Sequence, residues 1–123
     1  MCGQTPSWKC ANCAVPAGAR FWWFSTHTHK QATNAAVRNG ESVIVSTTDW
    51  ESPSIATFAA PAFYQFGGAE RLTYECTYDN TGSNSNRTIT SGDSYATDEN
   101  CVAIAYFFPA ERPLFCFNNV GPF

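Results

Sequence analysis

Phe21-Trp22-Trp23-Phe24-Ser25-Thr26-His27-Thr28-His29-Lys30 is a strand-like run that carries both histidines of the 123-residue chain. Successive side chains of an extended segment alternate between faces, so His27 and His29 point the same way. A neutral imidazole is the commonest metal ligand, and two on one face begin a metal site. Without a metal they are two polar residues sharing the solvent face of a strand. The aromatics ahead of them, Phe21 to Phe24, run through both faces. Some therefore fill the core, and others either cover the second sheet or stand exposed as a platform for a carbohydrate, a partner chain or a second copy.

Working outward from this run, the whole chain reads as β. Residues 19–31 form one strand, and Asn39-Gly40 marks a turn between strands at 32–38 and 41–49. The segment 41–49 is rich in β-branched residues. Pro53 and Pro61 punctuate the next stretch, which reads as an edge strand around 57–66, and Gly67-Gly68 turns the chain into an alternating strand at 70–78. A polar loop, 79–86, is exposed, and strands follow at 87–91 and 101–108, the second apolar enough for a sheet interior. Asp49-Trp50-Glu51 is a turn whose tryptophan packs on the body of the protein. The head, 1–18, and the tail, 109–123, read as irregular and tied down by disulfides, with Phe107, Phe108, Phe115, Phe117 and Phe123 packing one end or an interface to a missing domain. Short strands separated by regular turn signals predict an all-β, antiparallel β-sandwich, one domain over 1–123.

Composition narrows the function. Seven Lys and Arg against ten Asp and Glu leave no basic stripe to neutralise phosphates, so nucleic-acid binding is excluded. The apolar runs are too short to span a bilayer. Six cysteines (Cys2, Cys10, Cys13, Cys76, Cys101 and Cys116) in so short a chain predict disulfides and a secreted, extracellular or periplasmic location. Six cysteines allow fifteen pairings, and spacing does not choose among them. Met1-Cys2-Gly3 has no charged or apolar leader, so a removed secretion signal is expected. A cytosolic zinc knuckle of Cys10 and Cys13 with His27 and His29 is the competing reading, but His-x-His departs from the usual zinc-module spacing. Asn86-Arg87-Thr88 is a glycosylation sequon of little weight. No nucleophile elbow or phosphate loop is present. Paired carboxylates such as Asp98 with Glu99 or Asp49 with Glu51 invite a glycosidase reading, which needs a separation that sequence does not give.

Four features in order carry a resemblance: His27-x-His29-Lys30; Asp49-Trp50-Glu51-x-Pro53; Tyr74-Glu75-Cys76-x-Tyr78-Asp79-Asn80; and Gly92-Asp93 with Thr97-Asp98-Glu99-Asn100-Cys101. Together they resemble the second catalytic domain of the copper type II, ascorbate-dependent monooxygenases, which include peptidylglycine α-hydroxylating monooxygenase and dopamine β-monooxygenase. The likeness runs from about 19 to 109, with Cys13 and Cys116 extending it. It implies an antiparallel sandwich holding one copper, the one that binds oxygen, on His27 and His29. It also implies a Cys76–Cys101 disulfide and a second from Cys10 or Cys13 to Cys116, leaving Cys2 for the remaining cysteine.

The family's third ligand is a methionine, and Asn100 stands in its position; the chain's one methionine is Met1. A thioether is soft and favours Cu(I), whereas an amide oxygen is harder. Asn100 would ligate Cu(II), hold a water on the metal, or do neither, and Asp98 or Glu99 would be harder substitutes. The family's other copper site needs three more histidines, which this sequence lacks, so electrons must come from a partner protein or small reductant. The peptide-amidating members grip their substrate's carboxylate with an arginine and a tyrosine; Ser25 and Ile104 stand there, and a peptidylglycine substrate is unsupported. Two functions remain. One is a copper-binding, monooxygenase-like domain with redox or oxygen chemistry; the other is a passive copper-binding, structural or adhesion module.

Overall fold

In the computed structural model, which describes residues 8–67 and 71–116 (side chains of 8–12 excepted), the aromatic run becomes the centre of a sheet. The strands among the described residues are β1 (Trp8–Ala14), β2 (Arg20–Thr28), β3 (Ala32–Asn39), β4 (Ser42–Thr47), β5 (Ile55–Thr57), β6 (Arg71–Tyr78) and β7 (Cys101–Phe108). They form two antiparallel sheets, one ordered β1-β6-β3-β4 and the other β5-β2-β7. The fold is all-β, as the sequence predicts. No helix among the described residues is long and apolar enough to cross a membrane.

A bulge decides which way each side chain of β2 points. The register against β7 slips between Phe21 and Trp23, leaving Trp22 as the extra residue. Simple alternation would send Phe21 and Phe24 to opposite faces. The extra residue restores both to the inside, where their rings stack with centroids 5.1 Å apart. Phe24 and Val37 have no exposed surface, and with Phe21, Val45 and Ala19 they make the core on which Phe58, Tyr64, Phe66 and Phe107 pack. Beyond the bulge even-numbered residues face inward. The Thr26 hydroxyl donates to Thr47 Oγ1 of β4 at 2.9 Å, a buried hydrogen bond between the sheets, and the Ser54 amide donates to the same oxygen. Odd-numbered Trp23, Ser25, His27 and His29 therefore face outward. Thr47→Val would leave the buried Thr26 hydroxyl without an acceptor and free the partly exposed Ser54 amide to solvent, and we expect a loss of about 1–2 kcal/mol in urea unfolding, with Thr26→Val costing less.

Four expectations need correction. The head is not wholly irregular: β1 pairs with β6 along its length, an edge strand whose mixed composition (Trp-Lys-Cys-Ala-Asn-Cys-Ala) gives no alternation to read. No strand spans 57–66, where Pro61 has no N–H to give a ladder; the edge strand is β5, which ends at Thr57. Past it the chain loops out and returns, Phe58 and Tyr64 both bonding the Trp22–Phe21 backbone. Residues 87–91 form no strand; Ser91 alone bridges to Glu99. Apolar β7 is an edge strand rather than an interior one, with Ile104 and Tyr106 exposed on its outer side. The hairpin at Asn39-Gly40 forms, its two-residue loop closed by the Asn39–Ser42 pair with Gly40 at φ 59°.

The disulfides act between elements. Cys76 on β6 joins Cys101 on β7, linking the two sheets, and Cys13 on β1 joins Cys116 beyond β7. Cys2 lies outside the described residues, as do the Cys10 side chain, Phe117 and Phe123.

Candidate metal centre

The histidines sit where the chain leaves one sheet for the other. β2 ends at Thr28, a turn closes through the Ala32 amide to the His29 carbonyl at 3.1 Å, and β3 begins in the opposite sheet. His27 is half-buried on the outer side of β2, opposite Val102. His29 is nearly fully buried at 3 % exposure, not the solvent-facing residue that alternation alone implies. The two rings lie with centroids 5.2 Å apart and nearly perpendicular.

What buries His29 is the loop between β6 and β7, residues 79–100. It folds over the corner on its own hydrogen bonds. The Asn84 amide group and the Gln31 amide group both donate to the Ala96 carbonyl, the Lys30 amide donates to the Tyr95 carbonyl, and the Glu99 amide to the Thr90 carbonyl. Asn84 is thus buried within a loop whose composition predicts exposure. The Tyr95 ring stands edge-on to His29 at 5.8 Å, and Trp50 packs against Tyr95 at 6.2 Å. Trp50 accordingly rests on this loop.

Glu99 fastens the loop to the histidine corner. Its buried carboxylate receives the His29 amide at 2.7 Å and the Asn100 amide at 3.1 Å on Oε1, and the Gln31 amide at 2.8 Å on Oε2. With both oxygens taken up by backbone, Glu99 is a clamp before it is a ligand. Asp98 Oδ2 accepts the Ser94 amide, and its Oδ1 lies 3.9 Å from the Arg87 guanidinium. The described residues hold no group of three His, Cys, Asp or Glu suited to a metal.

The tautomer of His29 follows from its neighbour. Nδ1 lies 3.2 Å from the Asp98 carbonyl oxygen, which can only accept, so Nδ1 carries the hydrogen. In the neutral ring Nε2 then keeps the lone pair, the arrangement in which metal-binding histidines are held. Asn100 lies close by, its backbone meeting that of His29 at Glu99 Oε1. Its side-chain oxygen, however, accepts the Cys101 amide at 2.9 Å, capping the start of β7.

Tyr78 donates its hydroxyl to the Asn100 carbonyl at 2.9 Å. Burial, and secondarily the Glu99 carboxylate, push its pKa well above the ordinary tyrosine value of 10.0. The unfolded chain therefore ionises this tyrosine first. Stability is unaffected below about pH 10 and falls as pH rises beyond it. Urea midpoints taken between pH 8 and pH 11 should decline in the wild type and decline less steeply in Tyr78→Phe.

Next to the histidines, on the same outer face, lies an apolar row. Ser25 pairs directly with Ile104 and with Ile55, and Trp23 with Tyr106, on which Trp22 also stacks at 5.1 Å. Ser25 gives its hydroxyl to the Ser54 carbonyl, so neither it nor Ile104 offers a carboxylate anything to hold.

The fold is an antiparallel sandwich with a His-x-His pair at a crossover corner, and comparison with family models gives its class. The model for the copper type II ascorbate-dependent monooxygenase, C-terminal domain, matches residues 4–122, and the chain belongs to that family. No curated protein and no solved structure matches the chain.

Proposed function

We propose that the chain is one domain that binds one copper ion through Nε2 of His27 and His29. The observation that carries this reading is the pair of adjacent rings, one of them locked by the Asp98 carbonyl into the tautomer that frees Nε2. The donor set fits copper, since imidazole suits it and, among the described residues, no group of three His, Cys, Asp or Glu competes. Copper bound there would supply one-electron redox chemistry toward dioxygen or peroxide, its electrons drawn from an external reductant or partner protein.

The chain's own residues do the rest. Glu99 fixes the backbone at His29, the Asp98 carbonyl orients the ring, and Tyr95 with Trp50 shields it from bulk water. Asn100 spends its oxygen on Cys101, so we assign the remaining donors to solvent. A site of two nitrogens and oxygens is harder than the family's set with methionine and favours Cu(II). The apolar Trp23–Tyr106 and Ser25–Ile104 pairs beside it support a substrate without a carboxylate. The disulfides and the family support a secreted or periplasmic setting.

Equilibrium dialysis against Cu(II) tests the assignment. One ion per wild-type chain and none held tightly by His27→Ala/His29→Ala, with both proteins folded, is the expected result. Equal uptake by the two would reject it. The commitment of Asn100 to its own strand favours a second reading, a passive copper-binding or adhesive module. Ascorbate-driven oxygen uptake by the copper-loaded protein, present or absent, separates the two.

A further inference from the structure

The two sheets have unequal strand numbers, and this leaves a hollow between them. In the three-stranded sheet β7 is the last strand, whereas the four-stranded sheet continues through β6 to β1. β2 packs over β3 and β4, and β7 covers β3 and β6 sparingly. The inner face of β7 also carries small residues, Ala103 and Ala105 opposite Thr26 and Phe24. The result is a cavity of about 320 Å³ at the β1–β7 side, walled by Val15, Leu72, Ala103, Ala105, Phe107 and Leu114.

We infer that this cavity is a binding site for a neutral, apolar small molecule with about the volume of two benzene rings. The size follows from its volume, roughly twice the ~150 Å³ of an apolar cavity that takes up benzene. The chemistry follows from the walls. Among the described residues no charged side chain lines the cavity, so an ionised ligand would lose its hydration without a counter-charge. Two polar side chains among the described residues reach it: the Tyr74 hydroxyl donates to the Cys116 carbonyl at 3.0 Å, and the Asn100 oxygen accepts the Cys101 amide. Burial raises the Tyr74 pKa, which keeps that wall uncharged. The hollow opens to solvent, and water held against its mostly apolar walls is favourably displaced by an apolar molecule that packs on them. The Cys13–Cys116 disulfide and Leu114 border the opening, where Leu114 and Phe115 are more than half exposed. The volume also falls in the range of small-molecule sites lined mainly by hydrophobic side chains.

The site is separate from the histidines, which face outward from the other side of β2, so its test is independent of copper. The probe is 1-aminonaphthalene, neutral at pH 7 and fluorescent in apolar surroundings, titrated into the full disulfide-intact chain. Saturable binding of one molecule per chain is expected, competed by a neutral alkanol of about ten carbons and not by its quaternary ammonium analogue. Ala103→Leu and Ala105→Leu fill the hollow from two positions, and each should weaken binding at least tenfold with melting temperature unchanged or raised. Absence of saturable binding to the wild type would overturn the inference. So would unchanged binding in whichever alanine variant folds. Binding lost in Trp22→Ser/Tyr106→Ser but kept in the alanine variants would put the probe on the outer aromatic face and overturn it equally.

Discussion

Glu99→Ala should destabilise the domain by about 3–5 kcal/mol and at the same time abolish tight copper binding. The carboxylate is buried, and three backbone amides, those of His29, Gln31 and Asn100, end on it. Each buried amide left without an acceptor costs about 1–3 kcal/mol, and bonds to a charged group lie at the upper end of the scale. Because the carboxylate joins the β6–β7 loop to the corner that bears His29, its loss frees the loop that orients the ring. Glu99→Gln keeps one oxygen but turns an N–H₂ toward an N–H donor. It should fall between wild type and alanine in stability while still weakening copper uptake. A cost below 1 kcal/mol for the alanine variant, read from urea unfolding, would show that the clamp is not what holds this corner.

Breaking the Cys13–Cys116 disulfide by a double serine replacement should cost about 3–5 kcal/mol. It closes 103 residues of chain, and the loop-closure entropy it removes from the unfolded state is about 4.7 kcal/mol for a loop of that order. The Cys76–Cys101 disulfide closes 25 residues and by the same logarithm is worth roughly 1 kcal/mol less. Their effects on the metal should run in the opposite sense. Cys101 follows Asn100 and Glu99 directly, so serine at Cys76 and Cys101 should loosen copper. The other pair, at the far side of the sandwich, should leave it intact. If instead both variants lose copper in proportion to their stability, the site has no local support from Cys76–Cys101.

Much of the fold was legible because alternation and turn residues report directly on strands. β2, β3, β4, β6 and β7 fall close to where period-two patterning and Asn39-Gly40 put them. The pattern failed where another force sets the structure. β1 is an edge strand with little apolar alternation to read. The 57–66 segment is apolar, but Pro61 and its turn keep it out of the ladder. The orientation of Phe21 and Phe24 depends on a bulge at Trp22, and a bulge leaves no mark in a count of hydrophobic residues. Of the candidate site, the facing of His27 and His29 was readable from their spacing. The burial of His29 was not, since it comes from a loop 65 to 70 residues further on. Glu99 stood in the sequence beside Asp98 as one of four loop carboxylates; its bonds to the His29 and Gln31 amides exist only after β2 and the loop have met. Asn100 was marked by the resemblance alone, and its bond to Cys101 is a local strand cap of the kind asparagine often makes.

The most direct test of the account is Cu(II) electron paramagnetic resonance of the disulfide-intact protein loaded with one equivalent of copper, beside His27→Ala and His29→Ala. A single species with hyperfine structure from two nitrogens is expected in the wild type, and one nitrogen or free copper in each variant. A spectrum unchanged by either replacement, or a wild type that leaves its copper in solution, would contradict it.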